Sequence, residues 1–292
     1  MKGDFLKLKD FMISGEDVHL ADFDRRLVGS ERDEDIKESL YKEEVPTLVK
    51  WHEKLHAQGT HGIVVVLQAL DAAGKDEIIR YIFSNLLPQG LKHTSFGKPS
   101  EEETKHDYLW RMAKAMPERG QIGILNRSYY EDILSPKIND ILDDEPIPED
   151  VIKDDIWEKR YRQINDYERY LTENGFPVVK FFFNMSKETQ KERLLERLTD
   201  PEKNHEFSFS DLDDRGHWDE YQEVFEEMLD NTSTDIAPWY VLPADNPWLA
   251  RKIASQALIK VMEEIHPDYP SFAKEEEEDV EKAIDALKND EI

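Results

Sequence analysis

Residues 61–87 read HGIVVVLQALDAAGKDEIIRYIFSNLL, and the parsing of this stretch decides the fold. Ile63-Val64-Val65-Val66-Leu67 is an unalternating, β-branched run, the pattern of a parallel strand buried on both faces. Asp71-Ala72-Ala73-Gly74-Lys75 then turns the chain on small residues. From Asp76 the period changes, with Ile78, Ile79, Ile82, Phe83 and Leu86 on one helical stripe. Strand, small-residue loop ending in Gly-Lys, then helix is the setting in which backbone N–H groups and a helix N-terminus cradle phosphate oxygens. Lys75 would reach a transferred phosphoryl group as a point charge.

The loop departs from the full G-x-x-x-x-G-K-[ST] pattern at both ends: Ala69 stands at the first glycine and Asp76 at the Ser/Thr. Gly-Lys alone is as often a plain helix start, so the flanking strand and helix carry the phosphate reading. Asp71 has two readings. It is either a turn residue bonded to its own backbone or a ligand of a divalent cation that enters with a polyanion, and the second is favoured.

Composition sets the outer bounds. A chain of 292 residues is long enough for one large α/β domain with appendages. With no cysteine there is no disulfide, no thiolate chemistry and no Cys-ligated zinc, which fits a reducing cytoplasm. No apolar run reaches membrane-spanning length, and Met1-Lys2-Gly3-Asp4 does not read as a signal peptide. Sixty-five Asp plus Glu against 38 Lys plus Arg give a net charge of −27, so the surface should repel nucleic acid and anionic membrane. A polyanionic substrate would need a local basic channel cut into an acidic body.

Outward from the centre, residues 1–30 carry short apolar pieces (Phe5-Leu6, Phe11-Met12-Ile13, Phe23) broken by Gly3, Gly15 and Gly29, and read as an irregular arm lying on the domain. Residues 31–57 predict a helix packed through Ile36, Leu40, Leu48, Trp51 and Leu55, with Pro46 as a kink or a split. His52, His56 and His61 are expected at the surface. Lys92 to Phe96 predict a short strand, and Ser100 with Glu103 forms a capping-box pair opening a helix that carries His106 to Arg111. Ile122-Gly123-Ile124-Leu125 predicts a second buried strand, running into Asn126-Arg127-Ser128-Tyr129-Tyr130-Glu131. Ligands in α/β sheets sit beyond the carboxyl ends of strands, so Arg127 is expected as an anion clamp facing the loop.

An acidic, proline-marked connection (137–150) leads to a helix over 151–173 and a strand over 177–183 whose aromatics belong to the core. Ser186 caps a helix through Leu198 on which Arg193 and Arg197 share a face. A break at 200–210 precedes a helix with Arg215, Trp218, Tyr221, Phe225 and Met228, and the pair resembles a lid. A last strand (238–242) and helix (247–264) follow. Beyond Pro270 lies an acidic tail in which Val280, Ile284 and Leu287 keep helical spacing, read as solvated and weakly docked.

These blocks together resemble polyphosphate kinase family 2, most closely its class III branch, over about Val45 to Pro270. The residues that carry the resemblance are Asp71 to Lys75, Pro88-Gln89-Gly90, His106 to Arg111, Pro117 to Gly120, Asn126 to Glu131, Arg193, Arg197, Asp200 to Lys203, Trp218, Thr232-Ser233-Thr234, Ala237-Pro238-Trp239 and Ala244-Asp245. The resemblance implies an α/β, three-layer P-loop kinase fold, thymidylate-kinase-like, with a parallel sheet and a helical lid. It also implies Mg²⁺-dependent, reversible phosphoryl transfer between inorganic polyphosphate and AMP or ADP, with Mn²⁺ as an alternative metal and guanine as an alternative base. The organisation it implies is an arm and helix start over 1–44, the phosphotransferase domain over 45–270 with a lid at about 197–225, and a tail over 271–292.

Carried over by position, Asp71, Lys75, Arg127, Arg193 and Arg197 would be catalytic, with Asp71 and Asn126 at the metal. Ala72, Ala73, Gly74, Asp76, Asp107, Arg111, Ser128, Tyr129, Tyr130, Glu131, Lys203 and Arg215 would complete the substrate surface. Ala69, Glu77, Gly97, Glu206 and Pro247 depart from the family pattern, with Lys98 a stand-in near the third, and bear on polyphosphate grip and chain length. The chain is expected to form a homo-oligomer, a dimer or tetramer, and to bind neither nucleic acid nor membrane. An ATP-dependent nucleotide kinase of the same fold and a non-catalytic nucleotide- or polyphosphate-binding relative are the alternatives.

Overall fold

The computed structural model describes residues 7–13, 15, 17–27, 32–142, 146–148, 150–153 and 155–290. The readings at Gly3, Phe5-Leu6 and Gly29, and part of the acidic connection, fall outside these. Five strands form one all-parallel sheet: β1 (Ile63–Gln68), β2 (Leu91–Ser95), β3 (Ile122–Asn126), β4 (Val178–Asn184) and β5 (Trp239–Pro243), in the order β2-β3-β1-β4-β5. Every residue of β1, β3, β4 and β5 is buried, as their continuous apolar runs require. Only β2, at one edge, alternates partly exposed positions.

The opposite edge, β5, is covered by the N-terminal arm. Met12 bridges Tyr240 in antiparallel sense, the Ile13 N–H donates to the Trp239 carbonyl at 3.0 Å, and Phe11, Ile13 and Leu20 are buried. This blunts an edge that would otherwise offer free backbone donors and acceptors.

The expected 31–57 helix is one path in three segments: α1 (Asp33–Ser39), a π-helical turn (Leu40–Glu44) and α2 (Val45–Gln58). Pro46 has no N–H to give, and a π-helical turn stands directly before its segment, so the helical path runs on without a break in sequence. His52 corrects the surface reading. It is fully buried, accepts from the Leu87 N–H at Nδ1 (3.3 Å), and its Nε2 lies 2.9 Å from the Gly90 carbonyl, satisfying the loop before β2. Burial lowers its pKa. A Cβ at Gly90 would stand 2.5 Å from that ring, so Gly90 is there for close approach.

After the central loop, α3 (Lys75–Tyr81) is shorter than its apolar stripe, and Phe83 and Leu86 are buried from a 3-10 turn and its end. Ser100 and Glu103 do form the reciprocal capping pair, but over a 3-10 turn. The helix proper, α4 (Trp110–Ala115), starts later, after Asp107 accepts from the Leu109 N–H. Then come α5 (Glu131–Asn139), α6 (Ile156–Glu173, five residues later than read), α7 (Lys187–Thr199, capped by Ser186), α8 (Ser210–Gly216), α9 (Trp218–Thr232) and α10 (Pro247–Ile265). The 210–232 region is therefore two helices broken at Gly216-His217, not one.

In the tail, α11 (Glu277–Lys288) is a helix whose Ile284 and Leu287 are exposed. Deleting residues 273–292 is expected to leave the melting temperature within about 2 °C, because little apolar area is lost. Differential scanning calorimetry checks this, and a drop well beyond that would show the tail docked on a neighbouring copy.

Candidate active site

The register places the site. Leu67 of β1 pairs with Asn126 of β3, and the Arg127 N–H continues the ladder to the Leu67 carbonyl at 3.1 Å. The strand order reverses around β1, with β3 on one side and β4 on the other, which opens a crevice at their carboxyl ends. Three residues around this crevice hold left-handed backbone: Ala72 (φ 67°), Gly74 (φ 108°) and Arg127 (φ 62°). For the two non-glycines this costs on the order of 1–3 kcal/mol each, the kind of strain that clusters at functional positions. Ala69, by contrast, is not among the positive-φ residues, so its methyl group is accommodated.

Asp71 is the hub. Its carboxylate receives the Arg127 guanidinium at 2.6 and 2.5 Å and the Lys75 ammonium at 3.5 Å. Burial pushes the Asp71 pKa up, but Lys75 and Arg127 outweigh it and leave the carboxyl below its ordinary value. Lys75 is buried and also donates to the Ala69 and Leu70 carbonyls, both at 3.1 Å. Burial lowers the Arg127 pKa, and Asp71 with Glu131 more than restores it. From α7, Arg193 clamps the loop through the Ala72 carbonyl (2.8 Å) and the Ala244 carbonyl (2.6 Å).

Sequence reasoning missed Gln190, although it precedes Arg193 by one helical turn. It is fully buried, donates to the Asp71 carbonyl at 3.4 Å and accepts from Arg215 at 3.0 Å. Asp211 and Asp214 of α8 were also missed. Burial raises both pKa values, and the negative charge of Asp71 adds to the rise.

Arg197 is close by, but its guanidinium is shared between Asp211 (3.5 Å) and Glu206 (3.6 Å). Lys203 is turned to Glu196 at the surface and does not join the Asp71 cluster. Asn126 donates to Asp76 at 2.7 Å, which fixes its amide and leaves Oδ1 without a donor among the described residues. Glu131 accepts from Gln68 at 2.7 Å at the rim.

Five residues expected at the substrate surface are not part of the Asp71 cluster. Ser128, Tyr129 and Tyr130 have no exposed surface, and both tyrosine hydroxyls donate to Glu168, at 2.7 and 2.8 Å. The left-handed turn at Arg127 sends the next residues into the core. Arg111 is buried against Gly97 (3.0 Å) and Asp132 (2.9 Å), where it ties α4 to α5. Asp107 serves as a cap on the exposed side of α4 and does not reach the cluster.

Among the described residues, no group of three or more His, Asp or Glu could enclose a metal ion. Asp71 with Asn126 Oδ1 supplies at most a few oxygens. That suits Mg²⁺, which takes one or two protein ligands and completes its octahedron with water and substrate phosphates.

A central parallel sheet, a strained Gly-Lys loop and converging cations around one carboxylate define a P-loop phosphotransferase. The chain belongs to the Polyphosphate kinase 2 (PPK2) family, which matches residues 30–270. It is 40% identical over 268 residues to an ADP-polyphosphate phosphotransferase of Rhodopseudomonas palustris, covering 91% of this chain and 93% of that one. It is 43% identical over 223 residues to an AMP/ADP-polyphosphate phosphotransferase of Meiothermus ruber, covering 76% and 80%. The crystal structure of Polyphosphate Kinase 2 from Arthrobacter aurescens TC1 superposes with a TM-score of 0.84 at 33% identity, over 94% of this chain and 96% of that one.

Glu206 occupies one side of Arg197, so Glu206→Lys is expected to free that guanidinium and lower the KM for long-chain polyphosphate about threefold, with a smaller change for AMP. Steady-state kinetics at two ionic strengths check this, and an unchanged polyphosphate KM would take Arg197 out of the anion path.

Proposed function

We propose that this protein transfers phosphoryl groups from inorganic polyphosphate to AMP, ADP or both, forming ADP and ATP, in a reversible reaction. The observation that carries the reading is the Asp71 carboxylate held between Lys75 and Arg127 at the strand ends, with Arg193 bracing the same loop. Phosphoryl transfer asks the protein for in-line positioning and charge neutralisation, not a covalent nucleophile. Those cations are what the crevice offers.

When polyphosphate enters, Arg127 and Lys75 exchange part of their contact with Asp71 and the loop carbonyls for phosphate oxygens. Asp71, released on one side, orients the attacking phosphate of the nucleotide. Bound Mg²⁺, with Mn²⁺ as a substitute, would be held by Asp71 and Asn126 and would neutralise phosphate charge. The segment from the end of α7 through α8, carrying Arg197, Lys203 and Arg215, serves as the lid that excludes water. The proposal extends to a lid-bearing domain over 45–270, to a homo-oligomer, and to the cytoplasm, which the cysteine-free composition suits. Among the described residues no helix is long and apolar enough to cross a membrane.

Nucleotide analysis after mixing the protein with Mg²⁺, AMP and polyphosphate, beside a parallel mixture with ATP in place of polyphosphate, tests the reading. ADP formed from polyphosphate supports it. Turnover only with ATP replaces it with the ATP-dependent kinase.

A further inference from the structure

The N-terminal arm covers the β5 edge, and it also reaches both ends of the lid. Leu20 to Arg25 precede the span that matches the family. The chain enters the lid from β4 through α7 and leaves it into α9, and the arm is bonded at both places. On the entry side stands Asn184, the last residue of β4, which is 2% exposed. Its Nδ2 donates to the Leu20 and Phe23 carbonyls, at 3.0 and 3.1 Å, and its Oδ1 accepts from Arg25 Nε at 3.0 Å. Both N–H groups of this buried amide end on the arm, and a buried amide left without partners is costly. On the exit side, Glu226 of α9 accepts from the Leu20 N–H at 2.7 Å, and Gln222, one turn earlier, accepts from Arg25 Nη2 at 3.3 Å.

One guanidinium thus joins the end of β4 to α9. Both acceptors are neutral amides, and Arg25 makes no ion pair among the described residues. What it supplies is a rigid fork of donors that spans two elements, not charge neutralisation. The same segment leads on to the phosphate loop. The Asp245 N–H donates to the Arg25 carbonyl at 2.9 Å, and the Asp245 carboxylate accepts from the Ser186 N–H, where α7 begins, at 2.9 Å. The Ala244 N–H donates to the Asn184 carbonyl at 3.1 Å, and the Ala244 carbonyl receives Arg193, which also holds the Ala72 carbonyl. Arm, strand ends, Arg193 and the left-handed turn at Ala72 form one bonded path.

We propose that the arm is a brace across the two ends of the lid and that Arg25 is its positioning residue: by holding Asn184 and Gln222 together it fixes the seat of α7 and, through Arg193, the phosphate loop. The proposal rests on the reading of the segment from the end of α7 through α8 as a lid. Arg25 acts through Asn184 and Arg193, not on the substrate. A strained turn such as Ala72 persists only while its surroundings over-determine it, and a small displacement of a loop that positions reacting groups costs turnover steeply.

The test compares the full chain with Arg25→Met, Arg25→Lys and Gln222→Ala. Initial rates with polyphosphate and AMP are taken well below the melting temperature, with melting temperatures and amide hydrogen exchange of residues 69–76 and 187–199 measured alongside. Met keeps much of the stem and loses the fork; Lys keeps the charge on a point donor. The expected result is a kcat about tenfold lower in Arg25→Met with both KM values within about twofold, an intermediate fall in Arg25→Lys, and about threefold in Gln222→Ala. Exchange in both stretches should be faster in all three. Gln222 is partly exposed on α9, so its variant decides the matter even where Arg25→Met does not fold. Parent-like kcat and exchange in Gln222→Ala would overturn the proposal. So would a lower melting temperature with kcat unchanged, which would leave the arm a cover for the sheet edge, or a change confined to KM, which would put Arg25 on the substrate. A parent that forms no ADP from polyphosphate, but whose loop exchange depends on Arg25 and Gln222, would instead sink the proposed reaction and leave the brace standing.

Discussion

Lys75→Ala and Asp71→Asn are each expected to lose transfer activity by on the order of 10²–10³ or more while remaining folded. Both side chains are proposed to face charge that builds during transfer, and among the described residues neither has a neighbour that replaces it. Among the described residues Lys75 is the one ammonium that bonds the Ala69 and Leu70 carbonyls and Asp71. Asp71 is the only carboxylate that pairs with both Lys75 and Arg127 among the described residues. Asn at 71 keeps the size and one acceptor but loses the charge that keeps Arg127 and Lys75 aimed at a common point. Initial rates with saturating polyphosphate and AMP, with circular dichroism as the fold check, decide it. Either variant keeping more than half of the parent turnover would remove that residue from the site.

The second large effect is on stability. Glu168 and Lys180 form an ion pair at 2.6 Å with no exposed surface on either side chain. Lys180 also donates to the Thr232 carbonyl (2.6 Å) and the Tyr130 hydroxyl (3.0 Å), and Glu168 accepts from both tyrosines. Removing one charge leaves the other buried and uncompensated, which costs about 3–5 kcal/mol. Glu168→Gln, which keeps the shape and an acceptor, is therefore expected to lower the melting temperature by on the order of 10 °C. The double variant Glu168→Gln/Lys180→Met removes both charges and should recover much of that loss. Thermal unfolding of the three proteins measures it. A single variant as stable as the parent would mean that the pair adds nothing. Activity would fall only indirectly, because this cluster anchors Tyr129 and Tyr130, the residues on which the Arg127 turn rests.

The central strands were readable because burial on both faces removes alternation, as in Val64-Val65-Val66 and Phe181-Phe182-Phe183. The loop was readable because small residues between a strand and a helix leave few alternatives. What periodicity could not show is which way a residue turns after a strand ends. Tyr129 and Tyr130 follow Arg127 directly, yet the positive φ at Arg127 puts them in the core and its guanidinium in the crevice. Their partners Glu168 and Lys180 lie far along the chain, on α6 and β4, so no local pattern announced them, although a lysine inside the apolar run Val178 to Phe183 was itself a signal. His52 was misplaced for a related reason: its partners are backbone groups at Leu87 and Gly90, and backbone groups leave no pattern in the sequence. Among the cations, spacing put Arg193 and Arg197 on one face of α7, but only the packed structure shows the first holding the loop and the second held by Glu206 and Asp211.

The most direct measurement follows the phosphoryl group itself. Protein and Mg²⁺ are mixed with ³²P-labelled polyphosphate, with and without AMP, and after denaturation the label is located on protein or nucleotide. Direct transfer at the Asp71–Lys75–Arg127 crevice predicts labelled ADP when AMP is present and no label on the protein in either mixture. Label fixed to the protein without AMP, or none in nucleotide with it, would contradict direct transfer between polyphosphate and nucleotide at this site.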